Sequence, residues 1–165
     1  MRAVIISVKP EWVEKIVNGE KLLEVRKTAP MRITYKEPFK MYLYCTKDRH
    51  LACVVNKYGA ELFYTCNNET AFIVGGYLAN GKVVAEIDNP CYMQIDDVAK
   101  NNPVILKNSC LTKKQLDDYL GKKKGYGFGF NHWDVTVYDK PKELSEFGLT
   151  KAPQSWCYVE ELEAK

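Results

Sequence analysis

The sequence lacks the patterns of a metal-binding or disulfide-stapled protein. Its six cysteines lie singly along the chain without any Cys-x-x-Cys pair, and His50 and His132 are its only histidines. Structural zinc sites usually contain closely spaced cysteine pairs, so we expect no metal ligands and no cofactor. Unpaired cysteines are typical of a reducing compartment, which predicts free thiols and a cytoplasmic protein.

Long hydrophobic runs are also missing. No stretch approaches the ~18 apolar residues that a membrane-spanning helix needs, and the apolar run near the N-terminus is too short for a secretion signal. The net charge at pH 7 is only +3, whereas nucleic-acid-binding domains are often far more basic. We therefore expect a soluble protein that does not bind membranes, and charge alone does not indicate its partner.

The composition and length are those of one ordinary globular domain. Apolar residues make up 46% of the chain and charged residues 27%, which argues against extended disorder. A chain of 165 residues buries enough surface to fold without cross-links. We predict a single domain over residues 1–165, with residues 46–70 forming a polar loop or insertion.

Hydrophobic periodicity predicts a mixed α+β fold. A β-branched run precedes Pro10, a helical pattern ends at Asn18-Gly19, and Thr112 with Gln115 predicts a capping box at the start of a later helix. Asn80-Gly81 between two apolar runs predicts a β-hairpin. Strands are predicted at residues 3–8, 20–27, 39–45, 71–78, 83–88, 126–138 and 155–162, and helices at 10–17 and 112–120. Short strands with few helices predict a small, partly closed β-barrel.

Charged residues crowd the junction between the first helix and the following strand. Lys9, Lys21, Arg26 and Lys27 surround Glu24 in sequence. Alternating charges are also typical of a solvated strand face, and that alternative stays open here. Several cations near one carboxylate nevertheless favour an anion-binding or proton-handling cleft.

The same segment resembles a known family. Ile6-Ser7-Val8-Lys9-Pro10, a helix, and then Gly19-x-Lys21-x-x-Glu24-x-Arg26 resemble the opening motif of the ASCH domain, of the PUA-like superfamily. Residues 126–133 and 153–158 are similar to segments of phage and prophage members. The resemblance implies a small PUA-like β-barrel with flanking short helices and a cleft that receives RNA or a nucleotide-like small molecule.

The resemblance also implies an enzymatic alternative. Some ASCH proteins are amidohydrolases of acetylated cytidine, and others are linked to RNA cleavage. Lys21 matches the lysine of the amidohydrolases, whereas Glu24 occupies the position of their threonine and so removes its hydroxyl. If the protein is an enzyme, Lys21, Glu24 and His132 are the predicted catalytic residues, with histidine as a proton shuttle.

Three functions therefore stay open at the level of sequence. The first is an RNA- or nucleotide-binding module, the second a hydrolase that uses the same cleft, and the third a prophage accessory protein that acts through protein contacts. Lys122-Lys123-Lys124 is either a solvated helix end or a phosphate contact. The predicted ligand-binding residues are Lys9, Lys21, Glu24, Arg26, Lys27, Tyr44, His132 and Trp156, where the aromatic residues would stack on a base.

Overall fold

The computed structural model describes residues 2–33, 37–64 and 75–163. These residues form a mixed α+β fold with three separate sheets and short helices. In chain order the strands are β1 (Arg2–Val8), β2 (Leu23–Arg26), β3 (Lys40–Cys45), β4 (Leu51–Asn56), β5 (Gly59–Tyr64), β6 (Gly76–Leu78), β7 (Val83–Asp88), β8 (Cys91–Ile95), β9 (Gly125–Gly129), β10 (Val135–Lys142) and β11 (Trp156–Glu160), and the helices are α1 (Pro10–Val17), α2 (Pro103–Ser109) and α3 (Lys113–Leu120).

The sheets are open over the part of the chain that the structure describes. The first has the strand order β10-β7-β3-β1-β11, the second β2-β9-β8, and the third β5-β4-β6. The mixed α+β class predicted from the sequence is confirmed, but the small, partly closed β-barrel is not. No described helix is long and apolar enough to span a membrane.

Strand β1 lies at the centre of the core because both of its faces are buried. Val4, Ile6 and Val8 pack into one hydrophobic cluster with the inner face of α1, while Ala3 and Ile5 pack into a second cluster on the other side of the sheet. Successive residues of a strand point to opposite faces of the sheet. A strand that is buried on both faces therefore needs a continuous apolar run. The strand pairs in parallel with β3 and antiparallel with β11.

The second sheet positions the site and depends on glycines. Antiparallel β2 and β9 pair Val25 with Gly127, and a Cβ atom at Gly127 would lie only 2.8 Å from the side chain of Leu23. Gly127 thus permits the close approach of the Leu23 side chain. Helices α2 and α3 pack on this sheet through a third hydrophobic cluster that includes Leu23 and Leu116.

The predicted hairpin at Asn80-Gly81 is wrong. Strand β6 pairs with β4, whereas β7 pairs with β3 and β10, so this turn joins two different sheets. Gly81 does adopt a left-handed conformation with φ +81°, and the Asn80 side chain hydrogen-bonds the backbone of Leu51 and Cys53. The local turn chemistry was predicted correctly, but it does not determine which strands pair.

The predicted loop or insertion at residues 46–70 contains two strands where the structure describes it. Strands β4 and β5 form an antiparallel pair in which Leu51 lies opposite Tyr64. The four central residues of β4 are all buried. Its sequence therefore lacks the alternation of polar and apolar residues that indicates a strand with one face in solvent. Residues 65–70 of that prediction, and residues 71–74 of the predicted strand 71–78, lie outside the described residues.

The predicted long strand over residues 126–138 is two strands in different sheets. A short 3₁₀ turn at His132–Asp134 separates β9 from β10, and the side chain of Asp134 accepts hydrogen bonds from the backbone and amide nitrogens of Asn131. Strand β10 also continues past Pro141 to Lys142, with a register shift after Val137. Sequence reasoning missed β8 and α2, although Asn102 caps α2 and Pro103 begins it.

Two local predictions are confirmed. Helix α3 begins with the capping box, in which Thr112 Oγ1 accepts from the Gln115 N–H at 3.1 Å and Gln115 Oε1 accepts from the Thr112 N–H at 2.9 Å, and it ends at Gly121. Among the described cysteines, all are free thiols, and Cys66 lies outside the described residues.

A polar group on the first sheet gives a test of the fold. Lys40 Nζ lies 2.7 Å from Glu86 Oε1, and the Tyr138 hydroxyl donates to Glu86 Oε2 at 2.7 Å. Burial raises the pKa of Glu86, but the hydrogen bonds from Lys40 and Tyr138 outweigh this effect and hold the pKa below its ordinary value. The stabilisation is therefore present above about pH 4.5 and is lost as the pH falls through the lower folded value.

We predict that Glu86→Gln lowers the free energy of unfolding by about 1 kcal/mol at neutral pH, because the charge-assisted hydrogen bonds weaken. The difference from the wild type should shrink as the pH falls below roughly 4.5, because protonation of Glu86 leaves both proteins with a neutral side chain at this position. Urea unfolding at a series of pH values measures it. A difference that grows in acid would contradict the assignment.

Candidate functional site

A cleft of about 510 Å³ opens where the start of α1 meets β2. Four of the residues singled out in the sequence, Lys9, Lys21, Glu24 and Arg26, line it. Its remaining walls come from distant parts of the chain, namely Ser7, Thr46, the α3 region from Leu111 to Tyr119, and residues 153–155. The structure therefore brings the charged junction predicted from the sequence into one concave site.

Lys21 lies at the floor of this cleft with only 2% of its surface exposed. Its ammonium donates to the carbonyl oxygen of Ser109 at 2.6 Å and lies 3.2 Å from Glu24 Oε2. Its backbone N–H still bonds back to the carbonyl of Lys15, so the residue precedes β2 and does not follow the pleat of the strand. Lys21 and Glu24 can therefore meet, although a regular strand would place residues 21 and 24 on opposite faces.

Glu24 is held between two cations. Its carboxylate is 4% exposed, faces Lys21 through Oε2 and accepts a hydrogen bond from Arg26 Nη1 through Oε1. Glu24 and Arg26 share one face of β2 because they are two residues apart. The second terminal nitrogen of Arg26 donates to the carbonyl oxygen of Ser7 at 2.5 Å. We call Lys21, Glu24 and Arg26 the charged triad.

Two atoms of the charged triad have no hydrogen-bond partner. They are Glu24 Oε2, whose contact with Lys21 is an ion pair without hydrogen-bond geometry, and Arg26 Nε. Within the described residues these are the only buried side-chain nitrogen or oxygen atoms in that condition. A buried polar atom without a partner costs about 1–3 kcal/mol. Both atoms belong to residues that line the cleft, and the two residues share one face of β2.

Aromatic walls of the cleft were missed by sequence reasoning. Trp12 on α1 lines it, with the Lys21 ammonium 5.0 Å from the ring centroid, and Tyr119 on the last turn of α3 lines it as well. The Lys27 ammonium lies 5.2 Å from the Tyr119 ring, which places this exposed lysine at the rim. Trp12 falls within the helical pattern that predicts α1, and this pattern does not indicate that its side chain lines a cleft.

The structure places the other three predicted residues outside the cleft. His132 is exposed and contributes to a separate cleft with Asn18 and Tyr58, and its ring packs directly against Gly19. Strand β9 ends at Gly129, so His132 lies in the 3₁₀ turn that follows it and not on the strand that pairs with β2. The predicted grouping of His132 with Lys21 and Glu24 is therefore corrected.

Tyr44 and Trp156 are packing residues of the sheet. Tyr44 is buried in the second hydrophobic cluster, and burial raises the pKa of its hydroxyl. It points away from the cleft because its neighbours Leu43 and Cys45 occupy the α1-facing side of β3. The indole N–H of Trp156 donates to Thr28 Oγ1 at 3.0 Å, and its ring packs edge-on against Tyr158. Neither residue lines the charged cleft.

The described residues hold no group of three or more histidine, cysteine, aspartate or glutamate side chains that could bind a metal ion. A second charged cluster, Lys40 with Glu86, Asp88 and Glu161, is paired internally. Within the described residues, the charged triad alone contains buried side-chain nitrogen or oxygen atoms without a hydrogen-bond partner.

Comparison with known proteins identifies the fold. No protein-family model matches the sequence, and no curated protein matches it significantly. Among solved structures, the ASCH protein of Zymomonas mobilis superposes with a TM-score of 0.58 at 17% identity, covering 96% of this chain and 88% of that one. This chain has an ASCH-like fold. Two variants of the same protein give TM-scores of 0.59 and 0.60 at 17% identity.

The ASCH-like fold agrees with the family resemblance drawn from the motif around Lys21. At 17% identity the likeness concerns the fold alone, so the chemistry of the cleft has to be argued from this chain's own residues.

Proposed function

We propose that the charged cleft binds a nucleotide-like ligand, with the charged triad at its floor. The single observation that carries this proposal is the pair of unpartnered atoms, Glu24 Oε2 and Arg26 Nε. A nucleobase edge carries hydrogen-bond donors and acceptors next to each other and can satisfy both atoms. A phosphate offers mainly acceptors and would be repelled by the Glu24 carboxylate, so it belongs at the rim near Lys9.

The aromatic walls support the same ligand class. Trp12 and Tyr119 line the cleft from two different helices, and planar bases stack on such side chains with little dependence on sequence. A cleft of about 510 Å³ is within the range of small-molecule sites. The ASCH-like fold is compatible with this proposal but does not select the ligand.

A purely structural ion network is the competing explanation, and energetics argue against it. Buried ion pairs contribute little net stability, because the desolvation of each charge offsets most of the attraction. Well-packed apolar side chains would serve a structural role at least as well. Keeping three charges buried while leaving two polar atoms without partners costs stability, which a bound ligand recovers.

Hydrolysis is the second candidate, and the observation that favours it is that Glu24 Oε2 accepts no hydrogen bond. Oε2 could accept a proton from a water or from a ribose hydroxyl in the cleft. The other expected groups are engaged or distant: Lys21 contacts the Ser109 carbonyl and Glu24, the Ser7 hydroxyl donates to the Pro153 carbonyl, and His132 lies in another cleft. Binding without turnover is therefore our first proposal.

We predict that Arg26→Lys weakens the binding of 5′-mononucleotides by about tenfold or more, since it keeps the cation beside Glu24 but deletes Nε. Isothermal titration with each of the four mononucleotides measures this. The matched control is Lys40→Arg, a conservative exchange at the Glu86 ion pair outside the cleft, which should leave affinity unchanged. Equal affinities of wild type and Arg26→Lys would remove the basis of the proposal.

A turnover assay separates the two candidates. Wild-type protein incubated with a ten-nucleotide RNA or with acylated nucleosides should return the substrates unchanged if the cleft only binds. Turnover that disappears in Glu24→Gln, while mononucleotide binding persists, would instead establish Glu24 as a catalytic base.

A further inference from the structure

We propose that four exposed lysines, Lys27, Lys122, Lys123 and Lys124, bind the phosphodiester backbone of a single-stranded nucleic acid whose base enters the charged cleft. We call these residues the lysine strip. The proposal rests on the proposed function and extends it, because it makes the natural ligand a chain of nucleotides and not a free mononucleotide.

The lysine strip adjoins the cleft at two points. Tyr119 forms part of the cleft wall, and one residue later α3 ends at Leu120, where Gly121 with φ +61° turns the chain directly into the three consecutive lysines. From the other side, Lys27 directly follows the last residue of β2, and its ammonium lies 5.2 Å from the centroid of the Tyr119 ring.

The pairing of β2 with β9 brings the two parts of the lysine strip together. Arg26 lies opposite Tyr126 in the antiparallel register, so Lys27 comes next to Gly125, which directly follows Lys124. A Cβ atom at Gly125 would lie 3.1 Å from the backbone oxygen of Arg26, which shows how closely the two strands approach here. Residues that are nearly a hundred positions apart in sequence thus form one positive surface.

The charges of the lysine strip are not neutralised within the described residues. None of the four lysines forms an ion pair there, whereas Lys113 and Lys114 at the other end of α3 lie 2.5 and 2.6 Å from Asp117 and Asp118. The carboxylate that interacts with Lys124 is Asp96, which already accepts hydrogen bonds from the backbone of Val98 and Ala99. Unpaired like charges in one place favour the binding of an anion with several charges.

The position of the lysine strip selects a nucleic acid among such anions. Its lysines continue from an aromatic cleft wall, and single-stranded nucleic acids bind where a positive track lies beside aromatic residues. A mononucleotide offers one phosphate group and cannot occupy the floor of the cleft and several separate lysines together. An acidic peptide would meet the lysines but carries no planar base to stack on the aromatic walls of the cleft.

The test compares a chain with its monomer. We measure the fluorescence anisotropy of a labelled ten-nucleotide RNA of mixed sequence, and of the same sequence as DNA, for wild type and for the triple variant Lys122→Gln, Lys123→Gln, Lys124→Gln. Mononucleotide affinity is measured in parallel by titration calorimetry. The matched control removes the same number of positive charges from another surface. It changes Lys57 on the β4–β5 turn, and Lys140 and Lys142 on β10, to Gln.

We expect the strip variant to bind the oligonucleotides about tenfold more weakly at low salt, with mononucleotide affinity unchanged. Each lost phosphate contact lowers the slope of log affinity against log salt by about 0.7, so the slope should flatten by about 2. Binding of either polymer with this behaviour supports the lysine strip. The ratio of the affinities for the RNA and the DNA identifies the natural polymer.

Other outcomes would overturn the proposal. Equal losses of oligonucleotide affinity in the strip variant and the control variant would show that binding depends on the overall charge of the protein. If the wild type binds mononucleotides as tightly as the oligonucleotides, the lysine strip does not bind a phosphodiester backbone, while the proposed function of the cleft still stands. Oligonucleotide binding that depends on the strip but is unaffected by Arg26→Lys would overturn the cleft as the site of the base, and with it the proposed function.

Discussion

The Glu24 carboxylate lies between the Lys21 ammonium and the Arg26 guanidinium, and the elements around the cleft are joined through this contact. Lys21 connects β2 to the C-terminal end of α2 through the Ser109 carbonyl, and Arg26 connects it to β1 through the Ser7 carbonyl. Removing one member would leave a buried charge uncompensated, which costs about 3–5 kcal/mol in comparable sites. The same three side chains therefore fix the local fold and define the chemistry of the cleft.

The glycines of the second sheet make this arrangement possible. Strand β9 pairs with β2 in the register that sets Glu24 opposite Phe128 and Arg26 opposite Tyr126. Gly125 and Gly127 leave room for the side chains of Leu120 and Leu23, since a Cβ atom at either position would collide with one of them. The tight strand pairing also carries Lys27 to the residues that follow α3, so the surface beside the cleft depends on the same packing.

Local features of the fold were predictable from the sequence, and distant pairings were not. The apolar run of β1, the turn at Asn18-Gly19 and the capping box of α3 are each determined within about ten residues, where periodicity and capping act. The turn at Asn80-Gly81 shows the limit, because its chemistry is local but the partners of β6 and β7 depend on packing elsewhere.

The candidate site divides in the same way. Lys9, Lys21, Glu24 and Arg26 could be grouped from the sequence because one helix–strand junction carries them all. Ser109 and Tyr119 reach the cleft only through the folding of α2 and α3 onto β2, and no sequence pattern indicates this. His132 was grouped with the cleft as a proton shuttle, but it lies in the 3₁₀ turn between β9 and β10 and lines a separate cleft with Asn18 and Tyr58.

The central claim is that Arg26 Nε is a binding atom for the ligand, and nuclear magnetic resonance observes that atom directly. The chain contains only four arginines, so the side-chain Nε–Hε signals are few enough to assign. Titration with a mononucleotide that binds should shift the Arg26 Nε–Hε signal in a saturable way, as expected when a previously unpaired donor gains an acceptor. A nucleotide that binds while the Arg26 signal stays unchanged would contradict the account.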